Sequence, residues 1–467
     1  MRNKFAYASA ALGDSATYCV VGTFLMFFLT TVVHIDPAVV GALIGVSALW
    51  DAVISPLIGF WSDHSCNKMG RRRPFLLAGA TILAASCCLL FHTVDAGPAV
   101  KAIYYGIVII IFWSGFSLFY IPYLALGADF TDDYTERTHL RSYAYGFNTV
   151  GTLLGIVMPS FFVDLLHSKG ISVEGAWQIT GALIGVVSAL SIYVTFALSK
   201  NKDVCHQMKS GGGVDPQTAA QGGEKLSPGR NLMEIGKGYR DILKLKPIQY
   251  LLAASMIYLV ANTICGADRM YFYTYNLGLS AASITVVLLF SSFIGISFMP
   301  VVIRLSKWFD KRSLLILMML TSAALVLLAR FIGVETIQGA LAFTFVFGIS
   351  SGAYWQLMPS MIYDVCEYDE LETGGRREGS IVSLQSLSES ISEAVAMQLL
   401  GIVLQLAGFK GEAATQSPLT LEWIENSIMV IPAIFMILSA AMVYRYPITK
   451  AKYEEIQAEL ADRHISL

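Results

Sequence analysis

Asp51 is the first residue whose type and position could support chemistry. It lies in WDAVISPLIGF (residues 50–60), a stretch that is otherwise nearly all apolar and is typical of a lipid-spanning helix. An ionised carboxylate at the centre of a bilayer costs at least about 2.5 kcal/mol by insertion scales, so such residues usually face a polar interior and serve a function. We predict that Asp51 binds and releases a cation or a proton; a purely structural polar contact is the alternative.

A second group of carboxylates lies in SLQSLSESISEAVAMQ (residues 383–398). Glu389 and Glu393 are four residues apart and therefore share one helical face, with Gln385 one turn earlier. Two close carboxylates cannot both ionise cheaply, so we expect one of them to hold a proton near neutral pH. These residues form a second candidate proton site, or a binder for a cation or a polyol; a polar seam against another helix is the alternative.

Aromatic and acidic side chains supply candidate contacts to a substrate. In ANTICGADRMYFYTYN (residues 261–276), Asp268 stands three and seven residues before Tyr271 and Tyr275, and this group could gate the outer side or touch substrate. Sugar rings stack their C–H faces on aromatic surfaces, and we predict Tyr120 and Trp355 as two such surfaces. Bundle cores and interfacial belts are equally rich in aromatic residues, so packing is the alternative for both.

The elements that must position these residues are membrane-spanning helices. Charged residues make up 14% of the 467 residues and the mean hydropathy is +0.59, whereas about a quarter of a soluble chain is charged. A helix needs about 20 residues to cross the hydrocarbon core, and apolar runs of that length predict twelve spans. The predicted spans are 5–34, 37–61, 74–94, 99–128, 141–166, 174–198, 247–276, 281–307, 313–333, 336–363, 380–409 and 425–445.

A polar stretch divides the chain into two halves. Residues 200–246 contain SGGGVDPQTAAQGGEKLSPGR, whose composition is typical of a flexible linker, and then NLMEIGKGYRDILKLKP, which could form a short interfacial helix. We therefore predict an all-α membrane protein in which residues 1–199 and 247–446 form two pseudo-symmetric six-helix bundles and residues 447–467 form a cytoplasmic tail. Many secondary transporters are built by such duplication, with their site at the midplane between the halves.

The positions of the basic residues predict the orientation. Cytoplasmic loops carry an excess of Lys and Arg, and with both termini inside, the predicted outer loops hold only Lys101, Lys169, Arg330 and Lys410. Arg269 lies near the outer end of the seventh span, where its side chain could reach the outer interface by snorkelling. Both termini are therefore predicted to be cytoplasmic.

The loops at the predicted cytoplasmic ends combine acidic and basic residues. In SDHSCNKMGRRRPFLLAGA (residues 62–80), a carboxylate precedes an arginine triplet and the Pro that opens the third span. The carboxylate can engage a neighbouring helix dipole and the arginines, which would form a latch on the cytoplasmic side; simple positive-inside topology is the alternative. RLSKWFDKRS (residues 304–313) is a weaker copy of this loop. The predicted gate residues are Asp63, Arg71, Arg72, Arg73, Asp129, Asp364, Arg376 and Arg377.

Several segments carry a family resemblance. WDAVISPLIGFWSD with GRRRPF, IPYLALGADFTDDYTERT, and DVCEYDELETGGRREG resemble the glycoside-pentoside-hexuronide:cation symporters, the group that includes melibiose permease. The resemblance covers nearly the whole chain, and the run at residues 373–379 is its most specific part. GRRRPFLLAGA is also similar to the corresponding loop of sucrose transporters. The resemblance implies the major facilitator fold, in which two six-helix bundles rock around a central site.

The cation site departs from the family pattern in one respect. Melibiose permease has a second acid four residues after the one that matches Asp51, preceded by an amide, and both help to bind sodium. Those positions are Ser55 and Ile54 here. A single carboxylate can still bind a proton because desolvation disfavours its charged form. We therefore expect co-transport of a proton rather than of sodium.

The sugar site implied by the resemblance is also altered. Asp14, in ALGDSATY, matches an acid that holds sugar hydroxyls, a task that suits a carboxylate because each oxygen accepts hydrogen bonds. The other family positions for an acid, an arginine and a lysine are Tyr120, Tyr145 and Ser390 here. The candidate substrate-binding residues are Asp14, Tyr120, Tyr145, Asp268, Trp355 and Gln385.

The function predicted from these observations is secondary active transport, by proton-coupled symport of a sugar or glycoside. A carrier of lysolipid or another small organic solute, possibly sodium-coupled, is the alternative. Gly348–Gly352 fits G-x-S-x-G, but the seven histidines fall in loops, tails or span ends and leave no evident base, so small-residue packing explains it better than an intramembrane enzyme. We expect a monomer in the cell membrane, with no cofactor, metal or nucleic acid.

Overall fold

The structure is a computed structural model, and it describes seven stretches of the chain. They are residues 2–65, 69–70, 72–129, 134–199, 239–306, 308–373 and 377–466. Within them, the side chains of residues 2–4, 6, 60, 63–64, 125, 127–129, 134–142, 295–296, 299, 378–379 and 461–466 are not described.

The described chain is helical almost throughout, as its long apolar runs require. In chain order the helices are α1 (Arg2–Thr31), α2 (Pro37–His64), α3 (Arg73–Leu90), α4 (Pro98–Asp129), α5 (Tyr134–Ile156), α6 (Met158–Ser168), α7 (Val173–Leu198), α8 (Lys246–Tyr271), α9 (Ala281–Leu305), α10 (Lys311–Ile332), α11 (Ile337–Thr373), α12 (Glu378–Leu406), α13 (Pro418–Glu425), α14 (Ile431–Tyr444) and α15 (Lys450–Ser466). Two π-helical segments, Phe272–Asn276 and Asn426–Val430, extend α8 and join α13 to α14.

These helices confirm the predicted membrane architecture. Among the described residues, eleven helical segments are long and apolar enough to cross a membrane, and the shorter apolar part of α9, Ala281–Ile294, accounts for the remaining predicted span, the eighth (281–307). The fifth predicted span is broken between α5 and α6, since Pro159 cannot donate a backbone hydrogen bond and crowds the preceding turn. The tenth extends to Thr373, ten residues further than predicted.

The two halves of the molecule repeat one packing pattern. In the N-terminal half, α1 packs on α5 and α7, and α4 packs on α2 and α3; in the C-terminal half, α8 packs on α12 and α14, and α11 packs on α9 and α10. Pro56 in α2 and Pro300 in α9 stand at the same distance from the start of their helices. The halves are therefore two copies of one six-span unit.

The bundles meet closely at one end of the molecule. We call the end that carries both chain termini the terminal end, and the opposite end the far end. At the far end the Thr30 hydroxyl on α1 and the Tyr271 hydroxyl on α8 are 2.6 Å apart. On α2, a Cβ at Gly41 would lie 2.5 Å from the carbonyl oxygen of Met397 on α12, so this glycine permits the close approach.

The predicted linker lies mostly outside the described residues. Residues 200–238 are not described, and residues 239–242 are helical, at the end of the segment predicted as an interfacial helix. The tail helix α15 packs on α11, the longest helix. The predicted division at residues 199 and 247 falls between α7 and α8.

Candidate functional site

Asp51 lies in the middle of α2 and is held by two hydroxyl groups. Ser117 on α4 donates a short hydrogen bond to Asp51 Oδ1, and Ser55, one turn further along α2, donates to the same oxygen at 3.2 Å. Ser55 Oγ also lies 3.1 Å from Ser117 Oγ, which closes the group. Among the described residues Oδ2 accepts no hydrogen bond, so one carboxylate oxygen is available to a proton or a ligand.

The two bundles bring Asp51 and Glu393 together. The close packing of α2 on α12 continues from Gly41 to Gly45, whose Cβ would lie 3.1 Å from the carbonyl oxygen of Ala394. Glu393, next to Ala394, is near enough to Asp51 for their charges to interact. The sequence suggested two separate acidic sites, and the structure makes them neighbours across the bundle interface.

Tyr18 on α1 completes this central acidic group, which consists of Asp51, Glu389, Glu393 and Tyr18. The Tyr18 hydroxyl lies within electrostatic range of all three carboxylates. The side chain nevertheless remains 46% exposed, so it borders an open space between the bundles. Sequence reasoning missed Tyr18 and Ser117, although Tyr18 stands one helical turn after Asp14 and so shares its face.

Glu389 is connected to a second polar layer in the C-terminal bundle. The Gln385 amide donates to Glu389 Oε1 at 3.0 Å and to Ser255 Oγ on α8 at 2.8 Å. Ser255 is in turn 2.6 Å from the Tyr354 hydroxyl. The predicted face of Gln385 and Glu389 therefore contacts another helix, in agreement with the alternative of a polar seam between helices. Glu389 nevertheless remains half-buried rather than enclosed.

A groove between α11 and α12 adjoins this layer. It has a volume of about 160 Å³ and is lined by Glu389, Gln385 and Trp355, among others. The Trp355 ring is 52% exposed and packs edge-on against Tyr354 at 5.4 Å between centroids. An exposed indole beside a carboxylate is a surface on which an apolar or sugar-ring face can stack.

The other predicted substrate residues are more dispersed. Asp14 is half-buried on α1, and Tyr120 on α4 stacks on Phe116 at 5.4 Å. Tyr145 on α5 is 60% exposed. Phe116 also packs against Tyr18, which connects Tyr120 to the central acidic group through an aromatic chain.

Asp268 does not join the central acidic group. Its side chain is fully buried within the C-terminal bundle, where Ser427 donates to Oδ2 at 2.5 Å. This burial corrects the expectation of a substrate contact, because no part of the carboxylate reaches an open space. The neighbouring expectation for Arg269 is also wrong: its guanidinium does not extend to the far interface but turns towards Ser291 on α9, at 3.4 Å.

At the terminal end, the predicted gate residues make ion pairs and helix caps. Lys311 binds both oxygens of Asp364 at 2.8 Å. Arg377 forms a bidentate pair with Asp369, an acid that the sequence reading had passed over, and this carboxylate raises the pKa of the guanidinium. In the C-terminal bundle, these pairs connect α11 to the start of α10 and to the start of α12.

The N-terminal bundle makes a different contact at this end. Arg73 donates from Nε and Nη2 to the Phe196 carbonyl near the end of α7, at 3.1 and 2.9 Å, and its guanidinium lies 4.4 Å from the Phe196 ring centroid. It thus caps a helix C-terminus, where a cation is favoured. Arg72 is buried. Arg71, Arg376 and the side chains of Asp63 and Asp129 lie outside the described residues, so their roles in a latch stay predictions.

Comparison with known proteins finds similarity over nearly the full length of the chain. A family model described as MFS/sugar transport protein matches residues 6–450. The chain is 26% identical to a putative glycoside/cation symporter of Escherichia coli, YagG, over 98% of this chain and 95% of that protein. It is 23% identical to the isoprimeverose transporter of Lactiplantibacillus pentosus, over 99% of this chain and 91% of that protein.

The fold is also found among solved structures. A D-xylose-proton symporter superposes with a TM-score of 0.66 at 13% identity, over 95% of this chain and 97% of that one. At this identity the likeness concerns the arrangement of the helices and not the residues of the site.

Proposed function

Because this chain belongs to the MFS/sugar transport protein family of multi-pass membrane transporters, we propose that it is a proton-coupled symporter of a sugar or glycoside. It works by alternating access in the plasma membrane, with both termini in the cytoplasm. Proton coupling, the substrate and the orientation are the parts of this proposal that go beyond family membership.

The observation that carries the proposal is the meeting of Asp51 and Glu393 at the bundle interface. Repulsion between the two carboxylates disfavours the state in which both are ionised. A proton on either one removes that repulsion and lets α2 and α12 approach. Proton binding thereby becomes part of the energy difference between two arrangements of the bundles, which is what coupling requires.

The number of oxygen ligands favours a proton over sodium. Asp51 has hydroxyl neighbours in Ser55 and Ser117, both of which donate their hydrogen to the carboxylate. A sodium ion would need the lone pairs of both hydroxyl oxygens together with several further oxygen ligands. One carboxylate oxygen without a hydrogen bond is sufficient for a proton.

The proposed substrate follows from the polar lining of the open space and from the names of relatives. Carboxylates such as Glu389 and Asp14 accept hydrogen bonds from adjacent hydroxyls, and the exposed Trp355 indole offers a stacking surface. The two similar transporters are named for glycosides and for isoprimeverose. A neutral or weakly charged polyhydroxylated solute fits such a lining better than a lipid tail does.

The arrangement of the bundles corresponds to one state of the transport cycle. Thr30, Tyr271 and Gly41 close the far end, while Tyr18 borders an open space. With the basic residues placed in the cytoplasm, the far end is the outside, and the structure represents an inward-facing state. The ion pairs of Asp364 and Asp369 lie within the C-terminal bundle and hold its cytoplasmic ends together.

Proton movement tests the proposal directly. Energy-depleted cells expressing the chain in weak buffer receive glycosides one by one, and then lysophospholipid, while external pH is followed. We expect one sugar to make the medium alkaline in the wild type, and Asp51→Asn to abolish this response while its counterflow of the same sugar persists. Asp36→Asn, at the N-cap of α2, is the matched control.

Three outcomes would contradict the proposal. Sugar uptake driven by a sodium gradient without any pH change would remove the proton role. A pH response to lysophospholipid alone would mean that the substrate is a lysolipid and not a sugar or glycoside. An unchanged response in Asp51→Asn would move the coupling site elsewhere.

A further inference from the structure

A second polar cavity lies within the C-terminal bundle, apart from the central acidic group. It has a volume of about 100 Å³ and lies between α8, α9 and α11. The polar side chains that line it include those of Asn262, Arg269, Tyr273, Ser291 and Thr344. The only charged side chain among them is that of Arg269.

Arg269 has no carboxylate partner among the described residues. Its one hydrogen bond goes to Ser291 Oγ, at a long 3.4 Å. Asp268, its neighbour in sequence, is turned away and accepts from Ser427 on the other side of α8. The five donors of the guanidinium are therefore almost unused towards protein atoms.

The contrast with Arg330 shows how the same bundle neutralises an arginine elsewhere. Arg330, at the far end of α10, lies 3.6 Å from Glu425 and donates to the Asn426 side chain at 3.2 Å. A charged side chain within the membrane is costly unless it is paired or solvated. Arg269 lies deeper, since α8 and its π-helical extension continue to Asn276.

The neutral groups around Arg269 suit a negatively charged ligand. Asn262 stands two helical turns before Arg269 on the same side of α8, and its amide has no hydrogen-bond partner among the described residues. The Tyr273 hydroxyl, one turn after Arg269, and the Thr344 hydroxyl on α11 are 3.3 Å apart, and both residues line the cavity. An amide, hydroxyls and a guanidinium are the donors that carboxylates and halides accept.

We propose that this cavity binds one compact monovalent anion, whose charge is held by Arg269 and whose remaining contacts come from Asn262 and Ser291. The anion is either a free halide such as chloride or the carboxylate of an acidic sugar. The second source rests on the proposed transport function, and the first does not. A volume of about 100 Å³ admits a halide or a carboxylate group.

Thermal unfolding of the purified full-length protein tests this site without any ion gradient. The protein is held at constant ionic strength with sodium HEPES as the background salt, and it is titrated with chloride, with glucuronate, or with glucose as the neutral match. We expect chloride, glucuronate or both to raise Tm saturably by about 2–4 °C. Glucose should give no increase that depends on Arg269.

Three variants assign the response to the cavity. Arg269→Gln removes the charge and should raise the apparent Kd of the anion at least about tenfold, the loss expected for one charge-assisted contact. Arg269→Lys keeps the charge without the planar fork and should retain part of the response. Arg330→Gln is the matched control and should leave the apparent Kd unchanged, because Arg330 already has Glu425.

Each outcome decides the proposal. A response to chloride alone identifies a free anion, and one to glucuronate alone identifies the carboxylate of a solute. No response in the wild type, or an equal response in Arg269→Gln, overturns the site. If Arg269→Gln yields no folded protein, Asn262→Leu replaces it, and an unchanged Kd in that variant also overturns the site. Because no gradient is applied, failure here is distinct from failure of proton coupling.

Discussion

The N-terminal and C-terminal bundles place polar sites at equivalent positions but give them opposite charge. Asp51 accepts a hydrogen bond from Ser117 between α2 and α4, beside Tyr18 of α1. The C-terminal cavity lies between α9, α11 and α8, the counterparts of those three helices, and contains Arg269. One copy of the repeat is acidic and the other is basic.

The shared prolines show where the two copies diverged. Asp51 stands five residues before Pro56, and the residue five before Pro300 is Gly295. The carboxylate has therefore no counterpart on α9, and the charge of the second copy comes from α8 instead. Duplication preserves the backbone packing, which depends on small residues and helix contacts, while the charges at the cavity walls are free to change.

The largest expected effect is that of Glu393→Gln, which should impair the central acidic group and leave the C-terminal cavity intact. Moving one charge through 100 mV is worth about 2.3 kcal/mol, so one coupled proton supports roughly 50-fold accumulation of solute. Without a titrating Glu393 we expect accumulation to fall to about one while counterflow persists. Uptake into energised vesicles measures it. The increase of Tm with chloride or glucuronate should stay unchanged in this variant. Loss of that increase would mean that the central acidic group and the C-terminal cavity form a single site.

The next effect concerns the helix contact that brings Asp51 to Glu393. In Gly41→Ala the new Cβ would lie 2.5 Å from the Met397 carbonyl oxygen, so α2 and α12 must separate. We expect the free energy of unfolding to fall by about 1–3 kcal/mol, the usual cost of overpacking, and transport to become slower. The fall in stability is measured as a lower apparent Tm. Gly22→Ala is the control, since nothing lies within 4 Å of that position; equal losses would argue against the contact.

A smaller effect is expected when the C-terminal cavity receives its own acid. In Ser291→Asp the new carboxylate stands where Arg269 now reaches a hydroxyl at 3.4 Å. An internal partner should compete with the anion and weaken its binding about tenfold, which is about 1.4 kcal/mol. The chloride and glucuronate titrations measure it, with Ser291→Ala as the control for loss of the hydroxyl. Undiminished anion binding would show that Arg269 does not hold the anion.

The smallest effect is expected for Ser117→Ala. Its hydroxyl stabilises the ionised form of Asp51, so its removal favours the protonated form by about 1 kcal/mol, roughly fivefold in proton concentration. Half-maximal uptake should therefore move to higher pH by about 0.7 units. Ser114→Ala, one turn away and bonded to Trp50 instead, is the control. A shift to lower pH would mean that Ser117 acts on another group.

The sequence predicted the helices well because length and apolarity alone decide whether a segment can cross a bilayer. Eleven helical segments of the described chain meet that condition, and the errors lie at helix ends and at the Pro159 break. Asp51, Glu389 and Glu393 could be proposed because carboxylates are rare in such segments. The proximity of these carboxylates across the bundle interface could not be predicted, since α2 and α12 are far apart in the chain.

Asp268 and Arg269 show most clearly which features only the tertiary structure decided. The sequence determined that two charged neighbours on α8 face different directions, because successive helical residues are about 100° apart. It could not determine which of them faces an open cavity. That depended on the rotation of α8 against α9, α11 and α14, which buries Asp268 against Ser427 and turns Arg269 to the cavity. Helix rotation follows from packing with every neighbour at once, and no local pattern contains it.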